Sequence, residues 1–305
     1  MADEIRFDGR VVIVTGAGAG LGRTYALELG KRGAQVVVND LGGPRDGSGK
    51  GSATPADEVV NEIKGAGGEA VANYDNVATT EGGENIVKTA MDAYGKVDVV
   101  VNNAGILRDK TFLKMEPENW DAVLAVHLKG AYCVTRPAFG VMRENGYGRI
   151  VLTTSAAGLY GNFGQSNYAA AKMGLIGLMH VIKLEGEKYN IKSNTIAPLA
   201  ASRLTEDVMP PEIFQKVPPE FVTPMVVYLC SEQCSVSGNI YGAGMGIFNR
   251  VAVVTGPTIL VGDGKAPSSA EEVMAKFDEI NSLEGAKPYG QITEQMGDIM
   301  QALSG

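Results

Sequence analysis

Six short apolar runs recur along the chain, at residues 11–14, 36–38, 70–73, 97–101, 150–153 and 191–196, and a helical stretch follows each of the first five. No other feature constrains the fold as strongly. Most of the runs are apolar at successive positions rather than alternate ones, so both faces of each strand must be covered. The stretches between them, 21–32, 56–65, 82–94, 117–144 and 166–189, carry helical patterns. Strands alternating with helices in this order imply a parallel sheet with right-handed crossovers and helices on both faces. The expected class is α/β with a doubly wound parallel sheet, over residues 1–245. Beyond 245 the rhythm loosens. Residues 251–254 and 259–261 read as a hairpin and 270–280 as a helix, so 246–305 is expected to be a C-terminal extension packed on the main domain.

The first strand runs into Thr15-Gly16-Ala17-Gly18-Ala19-Gly20-Leu21-Gly22 and then into a helix. Glycines at a strand-to-helix turn let backbone approach a pyrophosphate, and the helix start offers free N–H groups at its positive dipole end. The unit 11–40 has the length of one βαβ unit and ends on Asp40. A carboxylate there accepts hydrogen bonds from the adenosine ribose and repels a 2′-phosphate, the arrangement of a Rossmann-type NAD site. No basic residue precedes Gly20 in the loop, which also favours NAD over NADP. The cofactor residues expected here are Gly16, Gly20, Leu21, Gly22 and Asp40. Asp75-Asn76 follows the third strand, and Asn102-Asn103-Ala104-Gly105 the fourth. Ligands of open α/β sheets bind at the carboxyl ends of strands, so Asp75, Asn76, Asn103, Ala104 and Gly105 should border the same cofactor.

Composition narrows the class further. Apolar residues make up 45%, enough for a globular core, and the 40 glycines follow no collagen-like period, which puts them in turns. A net charge of -8 disfavours non-specific nucleic-acid binding. No apolar run reaches the roughly 18 residues of a membrane span. Three cysteines, Cys133, Cys230 and Cys234, argue against a disulfide framework, and no metal set surrounds them. The opening Met1-Ala2-Asp3-Glu4 is no signal peptide and the final Leu303-Ser304-Gly305 no peroxisomal tripeptide, so the expected location is cytoplasmic.

The chemistry is carried by three residues. Tyr168 and Lys172 are spaced i, i+4 on a helical stretch and share a face. A phenol with a pKa of ~10 is a poor base near neutrality, but a neighbouring ammonium stabilises the phenolate. Ser155, at the end of the fifth strand, can hold a substrate oxygen as charge develops on it.

Taken in order, Thr-Gly-x-x-x-Gly-x-Gly at 15–22, Asn-Asn-Ala-Gly at 102–105, Ser155 and Tyr168-x-x-x-Lys172 resemble the short-chain dehydrogenase/reductase family. The resemblance implies Tyr168 as general acid/base, Lys172 on the nicotinamide ribose and Ser155 on the substrate oxygen. Pro198 matches the start of that family's Pro-Gly turn, with Leu199 in place of the glycine. The carboxamide contact carries over to Pro198, Leu199, Ala200 and Ser202. The long loop from Leu41, the segment Gly105–Asp109, Tyr160–Gln165 and Ile196–Pro198 look like the (3R)-hydroxyacyl-CoA dehydrogenase branch, the kind of domain found in peroxisomal multifunctional enzymes. That implies an acyl-CoA substrate. Other short-chain dehydrogenase activities, on steroids or on 3-ketoacyl carrier protein, remain as alternatives, as does an NAD-binding protein without turnover.

Three further expectations follow. His127 stands where much of the family has asparagine, either as a link from Lys172 to a water chain or as a buried structural histidine. Arg108 and Lys110, close after Asn-Asn-Ala-Gly, are either a patch for the CoA phosphates or a solvated charged loop. The stretches 117–144 and 166–189 match those that pair between subunits in the family, so a homodimer is expected.

Overall fold

The computed structural model describes residues 4–49, 51–201, 212 and 215–304. It divides into two compact units, residues 1–250 and 251–305.

The first unit is built on an eight-stranded sheet. The strands are β1 (Val11–Thr15), β2 (Gln35–Asn39), β3 (Glu69–Asn73), β4 (Val99–Asn102), β5 (Gly148–Thr153), β6 (Ile191–Pro198), β7 (Ile240–Gly244) and β8 (Ile247–Val251). Their order is β3-β2-β1-β4-β5-β6-β7-β8, and each pairing from β3 through to β7 is parallel. Val12 sits between Val36 on β2 and Val99 on β4, so the central strand is apolar toward both neighbours. Val11 to Val14 are all fully buried, as a strand covered on both faces requires. The order reverses direction between β1 and β4. That is the switch point at which a crevice opens beyond the carboxyl ends of the strands.

The connecting helices are α1 (Gly20–Lys31), α2 (Thr54–Gly65), α3 (Thr80–Tyr94), α4 (Pro117–Leu124), α5 (Gly130–Asn145), α6 (Ala156–Tyr160), α7 (Ser166–Gly186) and α8 (Thr223–Cys230). The expected single helix over 117–144 is two helices joined by one π turn, Ala125–Lys129. Gly130 follows the turn, and a Cβ there would lie 3.0 Å from Val77. The three cysteines are unpaired and buried. Tyr132 on α5 and Met173, Val181 and Leu184 on α7 stand exposed on the helices expected to pair between subunits.

β7 and β8 were not legible as strands, and the expected hairpin at 251–261 does not form. The tight connection lies earlier, at Met245 and Gly246, both with positive φ, 53° and 74°. The second unit contains α9 (Ala270–Ala275), α10 (Phe277–Ile280) and α11 (Ile292–Ser304). Ser269 and Glu272 close a capping box on α9. No described residue from 252 to 304 is buried; Met274 and Ile292 are 72% and 74% exposed. Among the described residues no helix is long and apolar enough to cross a membrane.

Candidate active site

The glycine loop owes its shape to contacts that leave no room for side chains. Gly16 and Gly20 have φ of 63° and 53°, in the left-handed region that glycine enters without penalty. A Cβ on Gly22 would lie 2.2 Å from the Gly16 carbonyl oxygen and 2.5 Å from Asn103 Nδ2. Asn103 Nδ2 donates to the carbonyls of Gly16 and Thr15 at 3.0 and 3.2 Å. Thr15 Oγ1 in turn accepts from the N–H groups of Asn103 and Ala104, both at 3.1 Å. The loop after β1 and the turn after β4 are thereby one piece. Helix α1 starts without a side-chain cap, so its first N–H groups are left for an anion.

This piece forms one wall of a groove of about 370 Å³ at the switch point. Of the expected cofactor residues, Gly16, Gly20, Leu21, Asp40, Asp75, Asn76, Asn103, Ala104 and Gly105 line it. Gly22 instead packs behind the loop. The Asp40 carboxylate is fixed at both oxygens, accepting the Gly18 N–H at 2.8 Å and the Gly42 N–H at 2.7 Å. Asp75 Oδ2 accepts from Asn73 Nδ2 at 2.7 Å, and Asn39 Nδ2 donates to Asn73 Oδ1 and the Asp75 carbonyl at 2.8 and 3.0 Å. Sequence reasoning missed Asn39 and Asn73. An amide at the end of each of two apolar strands was the available signal.

The serine, tyrosine and lysine expected to carry the chemistry lie beside this groove; Ala104 and Val126 line both it and the small cavity at Lys172. Ser155 caps α6, accepting the Ala157 N–H at 3.1 Å, and its hydroxyl is near enough to the Tyr168 phenol to favour the phenolate. A Cβ on Gly158 would lie 2.8 Å from Lys172 Cβ, so that glycine lets α6 close onto α7. Lys172 is buried, and its Nζ donates to the Thr153 carbonyl at 2.5 Å. Its ammonium lies 5.4 Å from the centre of the Tyr168 ring. Burial drives both groups toward neutrality. It pushes the phenol up to about 12, against the lowering effect of Ser155, and the ammonium down to about 7.

His127 stands in the π turn, fully enclosed. Its Nε2 accepts the Ile106 N–H at 3.1 Å and lies 2.8 Å from the Ile106 carbonyl. The ring meets Tyr168 edge-on, centroids 5.1 Å apart. Burial and the nearby Lys172 charge hold it well below the ordinary histidine range, so it is neutral near pH 7. A cavity of about 10 Å³ touches His127, Lys172, Thr15 and Asn102. A Cβ on Gly105 would lie 2.4 Å from the imidazole, which explains the glycine after Ala104.

The expected CoA patch is split. Arg108 lines the groove and donates from Nε to the Asp46 carbonyl at 2.7 Å. Lys110 is exposed and pairs by backbone with the other side of the site, its N–H donating to the Gly164 carbonyl at 2.9 Å. Between them, Asp109 accepts from Gln165 Nε2 at 2.7 Å, a link that sequence reasoning missed. Pro198 ends β6, the Leu199 N–H donates to the Ala243 carbonyl at 2.8 Å, and Ala200 is buried. Ser202 lies outside the described residues.

The sequence pattern of the short-chain dehydrogenases matches residues 10–209. A Mycobacterium tuberculosis protein named as a short-chain type dehydrogenase/reductase is 56% identical over 285 residues, 92% of this chain and 97% of that one. Mouse peroxisomal multifunctional enzyme type 2 is 48% identical over 303 residues, 99% of this chain but 41% of the mouse protein. Among solved structures, full-length Drosophila melanogaster peroxisomal multifunctional enzyme type 2 superposes with a TM-score of 0.83 at 38% identity. That match covers 98% of this chain and 50% of the fly one. A 7α-hydroxysteroid dehydrogenase complexed with NADH matches at 0.72 and 30% identity, over 81% of this chain and 98% of its own. The chain belongs to the short-chain dehydrogenase/reductase family and is an oxidoreductase acting on alcohol groups with a nicotinamide cofactor. Within the family it is similar to peroxisomal multifunctional enzyme type 2 over nearly its whole length.

Proposed function

We propose that this chain oxidises (3R)-3-hydroxyacyl-CoA to 3-ketoacyl-CoA with NAD. The observation that carries the substrate is the reach of the likeness. Similarity to the mouse multifunctional enzyme runs through 99% of the chain, the second unit included, whereas the hydroxysteroid dehydrogenase matches 81%. Support for NAD comes from Asp40. With both oxygens held by the amides of Gly18 and Gly42, the carboxylate cannot swing aside to admit a 2′-phosphate.

The residues around the groove fit a dinucleotide. The glycine loop and the start of α1 would hold the pyrophosphate, Asp40 the adenosine ribose, and Tyr168 and Lys172 the nicotinamide ribose. Bound there, the nicotinamide supplies the hydride acceptor. Tyr168, as phenolate, takes the proton from the C3 hydroxyl. Lys172 keeps that phenolate stable by holding its own proton beside it. Ser155 holds the substrate oxygen through the change from hydroxyl to carbonyl. The hydroxyl carbon gives up a hydride and its oxygen a proton, which leaves the ketone.

The test is a panel of (3R)-3-hydroxyacyl-CoA, the same acyl group on carrier protein, and a 7α-hydroxysteroid, each with NAD and with NADP. The expected outcome is the highest kcat/KM for the CoA thioester with NAD. Better turnover of the carrier-protein or steroid substrate contradicts the substrate assignment, and equal use of NADP contradicts the role of Asp40.

A further inference from the structure

The connection from β2 to α2 takes a route that its ends do not require. It leaves Asn39 and reaches α2 at Thr54, yet it is tied to the segment after β4. The Leu107 N–H donates to the Arg45 carbonyl at 3.1 Å, and Arg108 Nε donates to the Asp46 carbonyl at 2.7 Å. In the sheet β2 and β4 flank β1. A link between their carboxyl ends therefore spans the end of β1, where the glycine loop opens. Leu41, Pro44 and Gly47 line one side of the groove, and Ile106 and Arg108 another.

The connection is also shaped in advance. Asp40 Oδ1 holds its start through the Gly42 N–H, and Asp46 Oδ1 accepts both the N–H and the hydroxyl of Ser48, at 3.0 and 2.7 Å. Gly47 has φ of 70°, and a Cβ there would meet the Ile106 side chain at 3.1 Å. An Asx turn and a left-handed glycine present two consecutive carbonyls, those of Arg45 and Asp46, to the facing segment.

We propose that residues 41–49 are a strap across the dinucleotide site, that Arg108 is its latch, and that release of the strap sets the rate at which reduced cofactor leaves. The inference rests on the reading of the groove as the nicotinamide cofactor site. It makes Arg108 a positioning residue for the cofactor rather than a cation for CoA. Product release limits many enzymes whose sites close over a ligand. The latch depends on the Nε–H and its fixed planar geometry, which lysine cannot reproduce.

Stopped-flow displacement of bound NADH, read by its fluorescence, tests this on the full chain. Arg108→Gln and Arg108→Lys should both release NADH about tenfold faster, equivalent to ~1.4 kcal/mol. Gly47→Ala, which leaves Arg108 in place but strains the turn, should do the same. If NADH binds and all three variants release it at the unaltered rate, the strap is wrong and the groove reading stands. Loss of the effect in Arg108→Lys alone would mean that Arg108 acts by charge, which also overturns the latch. If NADH does not bind the unaltered protein, the groove reading fails and takes the strap with it.

Discussion

The two ends of the sheet treat buried charge in opposite ways. At the amino end Arg149 is 1% exposed. Its Nε donates to the Ser231 carbonyl at 3.0 Å, its Nη1 donates to the carbonyls of Gly148 and Asn190 at 2.8 and 2.9 Å, and it lies 4.4 Å from the Tyr147 ring centre. Nearby Asp98 accepts the Val11 N–H at 2.8 Å and pairs with Arg10 and Lys96 at 2.9 and 3.1 Å. At the carboxyl end, among the described residues, His127 Nδ1, Thr153 Oγ1 and Asp109 Oδ1 are buried without a hydrogen-bond partner. Buried polar groups are ordinarily satisfied because leaving one unpaired costs about 1–3 kcal/mol. One end of the sheet therefore uses buried charge for stability. The other tolerates incomplete pairing and shifted protonation, as sites of chemistry do.

Matched substitutions sharpen this contrast. Arg149→Met should show the largest effect. It removes three charge-assisted hydrogen bonds from a buried site, although the Ser231 and Asn190 carbonyls keep the backbone N–H groups of Cys234 and Gly148, so the loss should be about 3–5 kcal/mol, read by urea unfolding. Lys172→Met should have the opposite sign. The lysine loses its proton near 7 in the folded chain rather than near its ordinary 10.5. Below pH 7 both folded and unfolded chains hold that proton, and burying it destabilises the fold fully. Between 7 and 10.5 only the unfolded chain holds it, so stability rises with pH until the penalty is gone. At about 1.4 kcal/mol per pH unit, and less the lost bond to Thr153, the variant should gain about 2–4 kcal/mol at pH 7. The gain should shrink toward zero by pH 10.5 while turnover is abolished. A loss of stability in Lys172→Met at pH 7 would mean that the buried ammonium supports the fold as Arg149 does.

His127→Phe should be the mildest change. If the bond to Ile106 is the histidine's main role, stability should fall by about 1–2 kcal/mol and turnover should stay within a few-fold. A large fall in turnover at unchanged stability would instead place His127 in a proton path.

The sequence was most informative where one residue type had one physical reason. Consecutive apolar residues located β1 to β6, because strands covered on both faces have no polar side. Gly16, Gly20 and Asp40, which the structure brings to one groove, were legible because a tight strand-to-helix turn takes glycine and the second strand ends on an acid. The regions that misled owe their form to distant partners. β7, Ile-Tyr-Gly-Ala-Gly, has little strand character of its own and is a strand through pairing with β6 from Thr195 to Pro198. The π turn at His127 carries no proline or glycine to announce it. Arg108 looked like one of a pair with Lys110 because spacing along the chain does not tell which wall of a cleft each residue faces.

We propose that Ser155, Tyr168 and Lys172 form an alcohol-oxidising site beside a nicotinamide groove. The most direct test follows NADH formation by absorbance from (3R)-3-hydroxyacyl-CoA and NAD, with the unaltered protein and with Tyr168→Phe, alongside a direct measurement of NADH binding. Loss of a positioned acid/base is worth about 10²–10⁴-fold in rate. The unaltered protein should form NADH steadily, Tyr168→Phe should fall by about a thousandfold, and both should still bind NADH. Turnover in Tyr168→Phe within tenfold of the unaltered protein would mean that Tyr168 is not the acid/base.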